Sequence, residues 1–283
     1  MPAAEAVANY HCVVGENPLF NAEEGRIYWL DIETGRLFRA SHATLEHECF
    51  YQGPVTGGFT LQADGSLLLF EVDRIARLDK NGERRVLVEG IDADMQRFND
   101  VIADPEGRVF AGTLGRSDVS GGLYRIERDG RVSCLFKQTG IANGMGFTRD
   151  ARHFYWTCST TRRIFRFDYE RETGALSNRV LFHQATEPND TPDGLTLDAE
   201  DRVFSARWGG FCVLRLDATG SVAERLPLPV ERVSSVAFGG PAFDTLYVTT
   251  AAGAPGGTGD DGTLYRIQTS ARGRPEHRSR VLI

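Results

Sequence analysis

A pattern that recurs six times along the chain constrains the fold more than any other feature of the sequence. Each copy begins with a turn rich in Asp, Gly and Asn, continues with an apolar strand and, after a short break, ends with a strand resembling Leu-Tyr-Arg-Ile. The copies occupy residues 21–39, 63–78, 104–126, 149–167, 198–216 and 242–267. Successive copies lie roughly 40 to 50 residues apart, which is the length of a four-stranded propeller blade.

The local pattern within the copies is typical of β-strands. Apolar and polar residues alternate with a period of two, and β-branched and aromatic residues are enriched between the turns. No stretch longer than one or two turns has the 3.6-residue periodicity of a helix. The sequence therefore predicts an all-β fold, a six-bladed β-propeller with four-stranded blades, formed by residues 1–283 as a single domain. A β-sandwich or an open solenoid explains the equal spacing less well, and a solenoid would need polar caps.

The N-terminal segment lies outside the repeat. Residues Val7 to Val14 are strand-like but belong to no copy of their own. We expect this segment to complete the blade formed by the C-terminal copy, because that pairing ties both chain ends and leaves no open edge.

Charge and composition narrow the class of partner. The formal net charge of −7 argues against nucleic acid or an anionic membrane, since either would favour a basic face. No run approaches the ~18 apolar residues of a membrane helix, and the first ten residues lack the features of a signal peptide. The five cysteines are widely spaced, without a CxxC pair, which favours reduced thiols. We expect a cytoplasmic monomer or weak homo-oligomer that acts on a small molecule.

The residue near the start of each blade is the candidate for function, because propeller blades begin at the central channel. Counting back ten or eleven residues from the first apolar pair of each second strand reaches one position per blade. In chain order these positions hold Glu16, Gly57, Asn99, Asn143, Asp193 and Ser235. Such polar residues are unusual inside a buried strand. They either cap turns and bond to neighbouring backbone, or converge on a common ligand.

A metal ion is the ligand that this set favours. Glu16, Asn99, Asn143 and Asp193 all carry oxygen donors. Two carboxylates so close together would repel each other unless a cation lay between them. An all-oxygen set with two negative charges suits Ca²⁺, Mg²⁺ or Mn²⁺. We expect one divalent ion, with Ca²⁺ preferred, and Zn²⁺ or Fe²⁺ less expected because no His or Cys belongs to the set.

Four motifs surround these positions. They are GENPLF at 15–20, RFND at 97–100, ANGMGF at 142–147 and PDGL at 192–195. Together and in this order they resemble the regucalcin and gluconolactonase family of sugar lactonases, also called the senescence-marker-protein family. The similarity runs from about residue 10 to residue 268, nearly the whole chain. It implies a six-bladed propeller that binds a metal.

The resemblance also implies an activity and roles for single residues. Glu16, Asn143 and Asp193 would hold the metal, and Asn99 would coordinate the metal or the substrate. Arg97 lies at a family position that contacts substrate oxygens, whereas its alternative interpretation is a surface salt bridge. The implied reaction is hydrolysis of an aldonolactone of the glucono-, xylono-, arabinono- or galactonolactone class to the aldonic acid. Asp193 would handle the proton of the attacking water.

Two departures from the family pattern affect the details. Where relatives have an Asp-Ser pair in the fourth blade, this chain has Thr157-Cys158-Ser159, so a contact behind the metal ligands is expected to differ. The loop at 114–121 is shorter than in animal regucalcin. It has Ser117 and Asp118 near the position of a glutamate that contacts substrate there, so substrate choice cannot be carried over.

The residues suggest how a lactone would be opened and which alternatives remain. We hypothesise that Asp193 is both metal ligand and general base, that the planar Arg97 guanidinium holds sugar oxygens, and that Trp208 contributes to the pocket wall. One alternative is a paraoxonase-like esterase or lactonase for apolar lactones. Another is a non-catalytic, calcium-binding regulatory propeller, since fold alone does not fix function. Arg97, Asn99 and the short loop favour a polar sugar substrate.

Overall fold

The computed structural model describes residues 3–117, 120–253 and 259–283. In these ranges it contains 24 β-strands and no α-helix. The strands form six four-stranded antiparallel sheets. This is the fold class of a six-bladed β-propeller, so the prediction from the repeat is confirmed. No helix long and apolar enough to span a membrane occurs among the described residues.

The strands follow one another in sequence within each blade, apart from the N-terminal strand β1 (Glu5–Asn9). Blade 1 contains β2 (Gly15–Asn21), β3 (Arg26–Asp31), β4 (Arg36–Ser41) and β5 (His47–Gln52). Blade 2 contains β6 (Gly58–Leu61), β7 (Leu67–Phe70), β8 (Arg74–Leu78) and β9 (Arg84–Glu89). Blade 3 contains β10 (Met95–Ala103), β11 (Val109–Gly115), β12 (Gly122–Ile126) and β13 (Val132–Lys137). Blade 4 contains β14 (Ala142–Phe147), β15 (His153–Cys158), β16 (Arg163–Glu170) and β17 (Ala175–Gln184). Blade 5 contains β18 (Thr191–Leu197), β19 (Val203–Trp208), β20 (Cys212–Leu216) and β21 (Val222–Pro227). Blade 6 contains β22 (Val233–Gly239), β23 (Thr245–Thr250) and β24 (Thr263–Gln268), together with β1.

The N-terminal strand completes blade 6. Residues Glu5 to Asn9 pair antiparallel with β24, and an ion pair of 2.9 Å joins Glu5 to Arg266 at the edge. The predicted pairing of the two chain ends is thus confirmed. The strand ends earlier than the predicted Val7–Val14 segment, because the chain bends at His11, whose φ is 48°.

The chain divides into two compact units, Met1–Gly53 with Phe182–Pro275, and Pro54–Leu181 with Glu276–Ile283. The first unit holds blades 1, 5 and 6, and its core joins Phe204 of β19 to Phe238 of β22, whose rings lie 5.0 Å apart. The second holds blades 2, 3 and 4, and its core joins Phe70 of β7 to Phe98 of β10 at 5.2 Å. Burial of such side chains contributes about 1.5–3 kcal/mol each.

The first strand of a blade is buried and the fourth is largely exposed. Every residue of β2, β6, β14 and β22 is buried. By contrast, β5 and β17 have no buried residue. Polar side chains in first strands are therefore enclosed by protein, where they need hydrogen bonds or a charged partner.

Candidate functional site

Four predicted site residues lie at or beside β-bulges in the first strands of their blades. The strand register shifts between Glu16 and Leu19, Phe98 and Val101, Asn143 and Met145, and Pro192 and Leu195. A bulge inserts an extra residue and redirects the side chain that it carries. Glu16 and Asn143 directly precede a register shift, whereas Asn99 and Asp193 lie within one, and all four are buried.

In the first unit, β22 packs against both strands that carry a carboxylate. The Ser234 hydroxyl of β22 donates a hydrogen bond of 2.5 Å to the carbonyl oxygen of Gly15. A Cβ atom on Gly194 would lie 2.1 Å from Ser235 Oγ, so β18 also approaches β22 closely and requires glycine there. Glu16 follows Gly15 and Asp193 precedes Gly194. Glu16 and Asp193 therefore lie on the two strands that pack against β22.

In the second unit, the first strands of blades 2, 3 and 4 approach each other closely near Gly57, Asn99 and Asn143. Asn99 Nδ2 donates a 3.0 Å hydrogen bond to the carbonyl oxygen of Ala142, the residue before Asn143. A Cβ atom on Gly57 would lie only 1.9 Å from the Phe98 carbonyl oxygen, so this position also requires glycine. The equivalent positions counted from the sequence are thus brought together within this unit.

The amide of Asn143 is oriented by a single side-chain contact. Its Nδ2 donates a 3.1 Å hydrogen bond to Ser159 Oγ. Its Oδ1 is buried and has no hydrogen-bond partner among the described residues. A buried acceptor left unpaired is costly, whereas an amide oxygen is a common ligand of hard cations. Asn143 therefore fits a metal ligand, and Ser159, part of the departure from the family motif, holds its orientation.

Asn99 has a different environment. Arg97 Nη1 donates to Asn99 Oδ1 at 2.6 Å and to the Phe98 carbonyl oxygen at 3.0 Å. A cation sharing Asn99 Oδ1 would approach the positive guanidinium, which opposes binding. Of the two roles that the family motif implies for Asn99, this contact favours the one toward substrate. Arg97 is only 9% exposed, which excludes a surface salt bridge.

The carboxylates of the first unit lie in short irregular segments. Asn17 donates its backbone N–H to Glu16 Oε2 at 2.8 Å and has a φ of 52°, a conformation that asparagine tolerates well. Asp193 precedes Gly194 in the bulge of β18, and both carboxylates are 6% exposed. Burying two carboxylates is costly unless hydrogen bonds or a cation compensate. Carboxylates are preferred ligands of hard cations, so the donor set of this unit also fits such an ion.

A cluster made only of acidic, histidine and cysteine side chains is absent from the described ranges. No group of three or more such residues there could hold a metal ion. Any site in this part of the chain would have to include amide or backbone oxygens, as the sequence predicts.

The remaining predicted residues lie at strand ends. Trp208 ends β19, pairs with Thr191, and has the Arg232 guanidinium over its ring at 5.9 Å. Its role as a pocket wall stays a prediction. Ser117 follows β11, and its backbone N–H donates to Ser120 Oγ at 2.9 Å. Asp118 lies outside the described residues.

The sequence did not predict a buried ion pair next to Asp193. Arg207 of β19 is fully buried, and its Nε donates to Asp190 Oδ1 at 2.5 Å. The only sign in the sequence is an arginine inside a mostly apolar strand. Arginine in a strand more often faces solvent, so this sign carried little information.

Comparison with known proteins places the chain in a family. A family model described as the SMP-30/Gluconolactonase/LRE-like region matches residues 14–252. The pentonolactonase XacC of Haloferax volcanii is 45% identical over 285 residues, covering 97% of each chain. Regucalcin of Macaca fascicularis is 30% identical over 257 residues, covering 87% of this chain and 86% of the relative.

A solved structure supports the fold. Agrobacterium tumefaciens regucalcin, described as a calcium-binding protein, matches with a TM-score of 0.91 at 24% identity and covers 99% of this chain and 98% of its own. This likeness shows a shared fold. Because the family model spans most of the chain, and a relative aligns over nearly its full length, this protein belongs to the SMP-30/gluconolactonase/LRE-like family.

Proposed function

We propose that this protein is a metal-dependent lactone hydrolase that converts a sugar lactone to the aldonic acid. The observation that carries this proposal is the set of buried oxygen-bearing side chains at equivalent bulges in four blades. Membership of a family that includes pentonolactonase and gluconolactonase supports the reaction class.

Glu16, Asn143 and Asp193 are the proposed metal-holding residues. Asn99 is a fourth candidate, although its oxygen already accepts from Arg97. The all-oxygen set favours Ca²⁺, with Mg²⁺, Mn²⁺, Zn²⁺ and Fe²⁺ as alternatives. A relative described as calcium-binding supports this preference. When bound, a divalent ion supplies Lewis acidity to a carbonyl oxygen.

The protein side chains provide proton transfer and substrate orientation. We assign Asp193 as the general base whose carboxylate accepts a proton from the attacking water. Arg97, held by the Phe98 carbonyl and Asn99 Oδ1, provides a rigid and permanently charged donor for sugar oxygens. Trp208 is the proposed pocket wall.

Five-carbon lactones are the proposed substrate class. The relative with 45% identity over nearly the full chain is a pentonolactonase. We therefore expect arabinono- and xylonolactone to be hydrolysed faster than glucono- and galactonolactone. A polar lactone also agrees with the buried polar side chains Arg97 and Asn99 better than an apolar lactone does.

A lactone panel tests this function. EDTA-treated protein is supplied with Ca²⁺, Mg²⁺, Mn²⁺, Zn²⁺ or Fe²⁺ in turn, and acid release is followed for the four sugar lactones and an aliphatic lactone. Spontaneous hydrolysis without protein provides the baseline. We expect metal-dependent turnover, fastest on the pentonolactones. Metal binding without acid release would support the regulatory alternative, and preference for the aliphatic lactone would support the paraoxonase-like one.

Three expectations from the sequence stay predictions. They are a single domain over residues 1–283, a cytoplasmic location, and a monomer or weak homo-oligomer without nucleic-acid or membrane partners. Light scattering after size-exclusion chromatography measures the assembly directly.

A further inference from the structure

Blade 5 contains a buried arginine in ionic contact with the segment that leads into Asp193. Arg207 is fully buried in β19. Its Nε lies 2.5 Å from Asp190 Oδ1 and its Nη2 lies 3.3 Å from Asp190 Oδ2. Such a two-pronged contact fixes the carboxylate in orientation as well as in distance.

A histidine also contacts the Arg207 guanidinium. His183 Nδ1 lies 2.8 Å from the Gly220 carbonyl oxygen, so Nδ1 carries the proton. His183 Nε2 therefore accepts from Arg207 Nη2 at 3.3 Å. Burial lowers the pKa of His183, and the Arg207 charge lowers it further. Because His183 Nε2 accepts from the guanidinium, Asp190 supplies the negative charge for Arg207.

The ion pair lies next to an interruption in the pairing of β18 with β19. Pro192 is opposite Arg207 in the β18–β19 register and has no N–H to donate. Regular pairing resumes only at Leu195, opposite Ser205, which leaves a gap in the Cα register across Asp193 and Gly194. The side-chain contact from Arg207 to Asp190 anchors β18 just before this gap.

We propose that Arg207 is a positioning residue, which clamps Asp190 and thereby fixes the bulge that carries the Asp193 carboxylate. This role rests on the proposed function, since it takes Asp193 to be metal ligand and general base. Lysine cannot reproduce it, because a single ammonium group lacks the planar fork that engages both carboxylate oxygens.

The second unit contains a matched control. Arg108 Nε lies 2.5 Å from Asp104 Oδ2, and its Nη2 donates to Tyr169 OH at 3.0 Å. Both members of this pair are buried. Asp104 lies in the turn after β10, at the end of that strand away from Asn99. Arg108→Lys therefore disturbs a similar buried ion pair that has no proposed link to a site residue.

The test compares Arg207→Lys, Asp190→Asn and Arg108→Lys in the full-length protein. Electron paramagnetic resonance of unbound Mn²⁺ gives the dissociation constant of EDTA-treated protein, and turnover of arabinonolactone at saturating Mn²⁺ gives kcat and KM. For Arg207→Lys we expect Mn²⁺ affinity and kcat to fall by on the order of tenfold or more, with KM within about twofold. Asp190→Asn should act in the same direction and replaces Arg207→Lys if that variant does not fold. Arg108→Lys should lower Tm but leave affinity and kcat within about twofold of wild type.

The outcomes separate the two proposals. Wild-type Mn²⁺ affinity and kcat in Arg207→Lys, or equal losses in Arg108→Lys, would overturn the positioning role alone. If the wild-type protein itself neither binds Mn²⁺ nor releases acid from any lactone, the proposed function fails, and the positioning role is overturned with it.

Discussion

The first strands of the two compact units carry different chemistry at equivalent positions. In the first unit, Glu16 and Asp193 lie on strands β2 and β18, which both pack against β22. In the second, the amides of Asn99 and Asn143 occupy neighbouring strands beside Gly57. At these positions the first unit thus carries carboxylates, and the second carries neutral amides. Losing a carboxylate should therefore affect function more than loosening an amide.

The largest effect is expected from Asp193→Ala. Loss of the proposed ligand and general base should lower kcat for arabinonolactone by about 10³-fold or more. Acid release measures the effect, and circular dichroism checks that the variant is folded. Turnover at the wild-type rate would remove Asp193 from the mechanism.

Glu16→Gln tests the second carboxylate of the same unit. The substitution keeps the size and one oxygen but removes the charge, so Mn²⁺ should bind on the order of 10-fold more weakly. Calorimetric titration of metal-free protein gives the dissociation constant. Unchanged affinity would show that Glu16 is not a ligand.

Asp100 allows a carboxylate to be compared with the amides of the second unit, because it directly follows Asn99 in β10. Burial raises the pKa of Asp100 to about 7, and the nearby Glu276 carboxylate adds to the rise. The folded protein then holds a proton that the unfolded chain releases near pH 4, so stability falls as pH rises from about 4 to 7.

Asp100→Asn should remove this pH dependence. Asparagine keeps an oxygen for the Val101 N–H, which donates to Asp100 Oδ1 at 2.8 Å. We expect metal-free Asp100→Asn to be more stable than the wild type at pH 8, with a higher Tm, and almost unchanged at pH 4. Thermal unfolding at both values measures this gain, and equal Tm changes at pH 4 and pH 8 would contradict it.

The smallest effect is expected from Ser159→Ala, which removes the contact that orients Asn143. The amide should then rotate more freely, and Mn²⁺ affinity should fall by roughly two- to fivefold, the equivalent of one ordinary hydrogen bond. Ser177→Ala on the exposed strand β17 is the control. An equal change in both variants would mean that Ser159 does not orient the ligand.

The fold could be predicted from the sequence because each blade repeats the same pattern of turns and strands. The closure by β1 followed from the same pattern, whereas the bend at His11 did not, since its φ of 48° has no distinct sequence signal. The candidate site positions could be found because the charged residues Glu16 and Asp193 lie in strands that are otherwise uncharged and largely buried.

The contacts around these positions could not be predicted in the same way. His183, Asp190 and Arg207 are separated by 7 and 17 residues along the chain, and only folding brings them together. The contact of Arg97 with Asn99 is more local, because residues two apart in a strand point to the same face. That spacing could have suggested the competition between arginine and metal for the Asn99 oxygen.

Anomalous diffraction from crystals soaked in Mn²⁺ tests the central claim most directly. A single peak is predicted within about 2.0–2.6 Å of oxygens from Glu16, Asn143 and Asp193. A protein that hydrolyses lactones but shows no peak there, or binds Mn²⁺ through other side chains, would contradict the account.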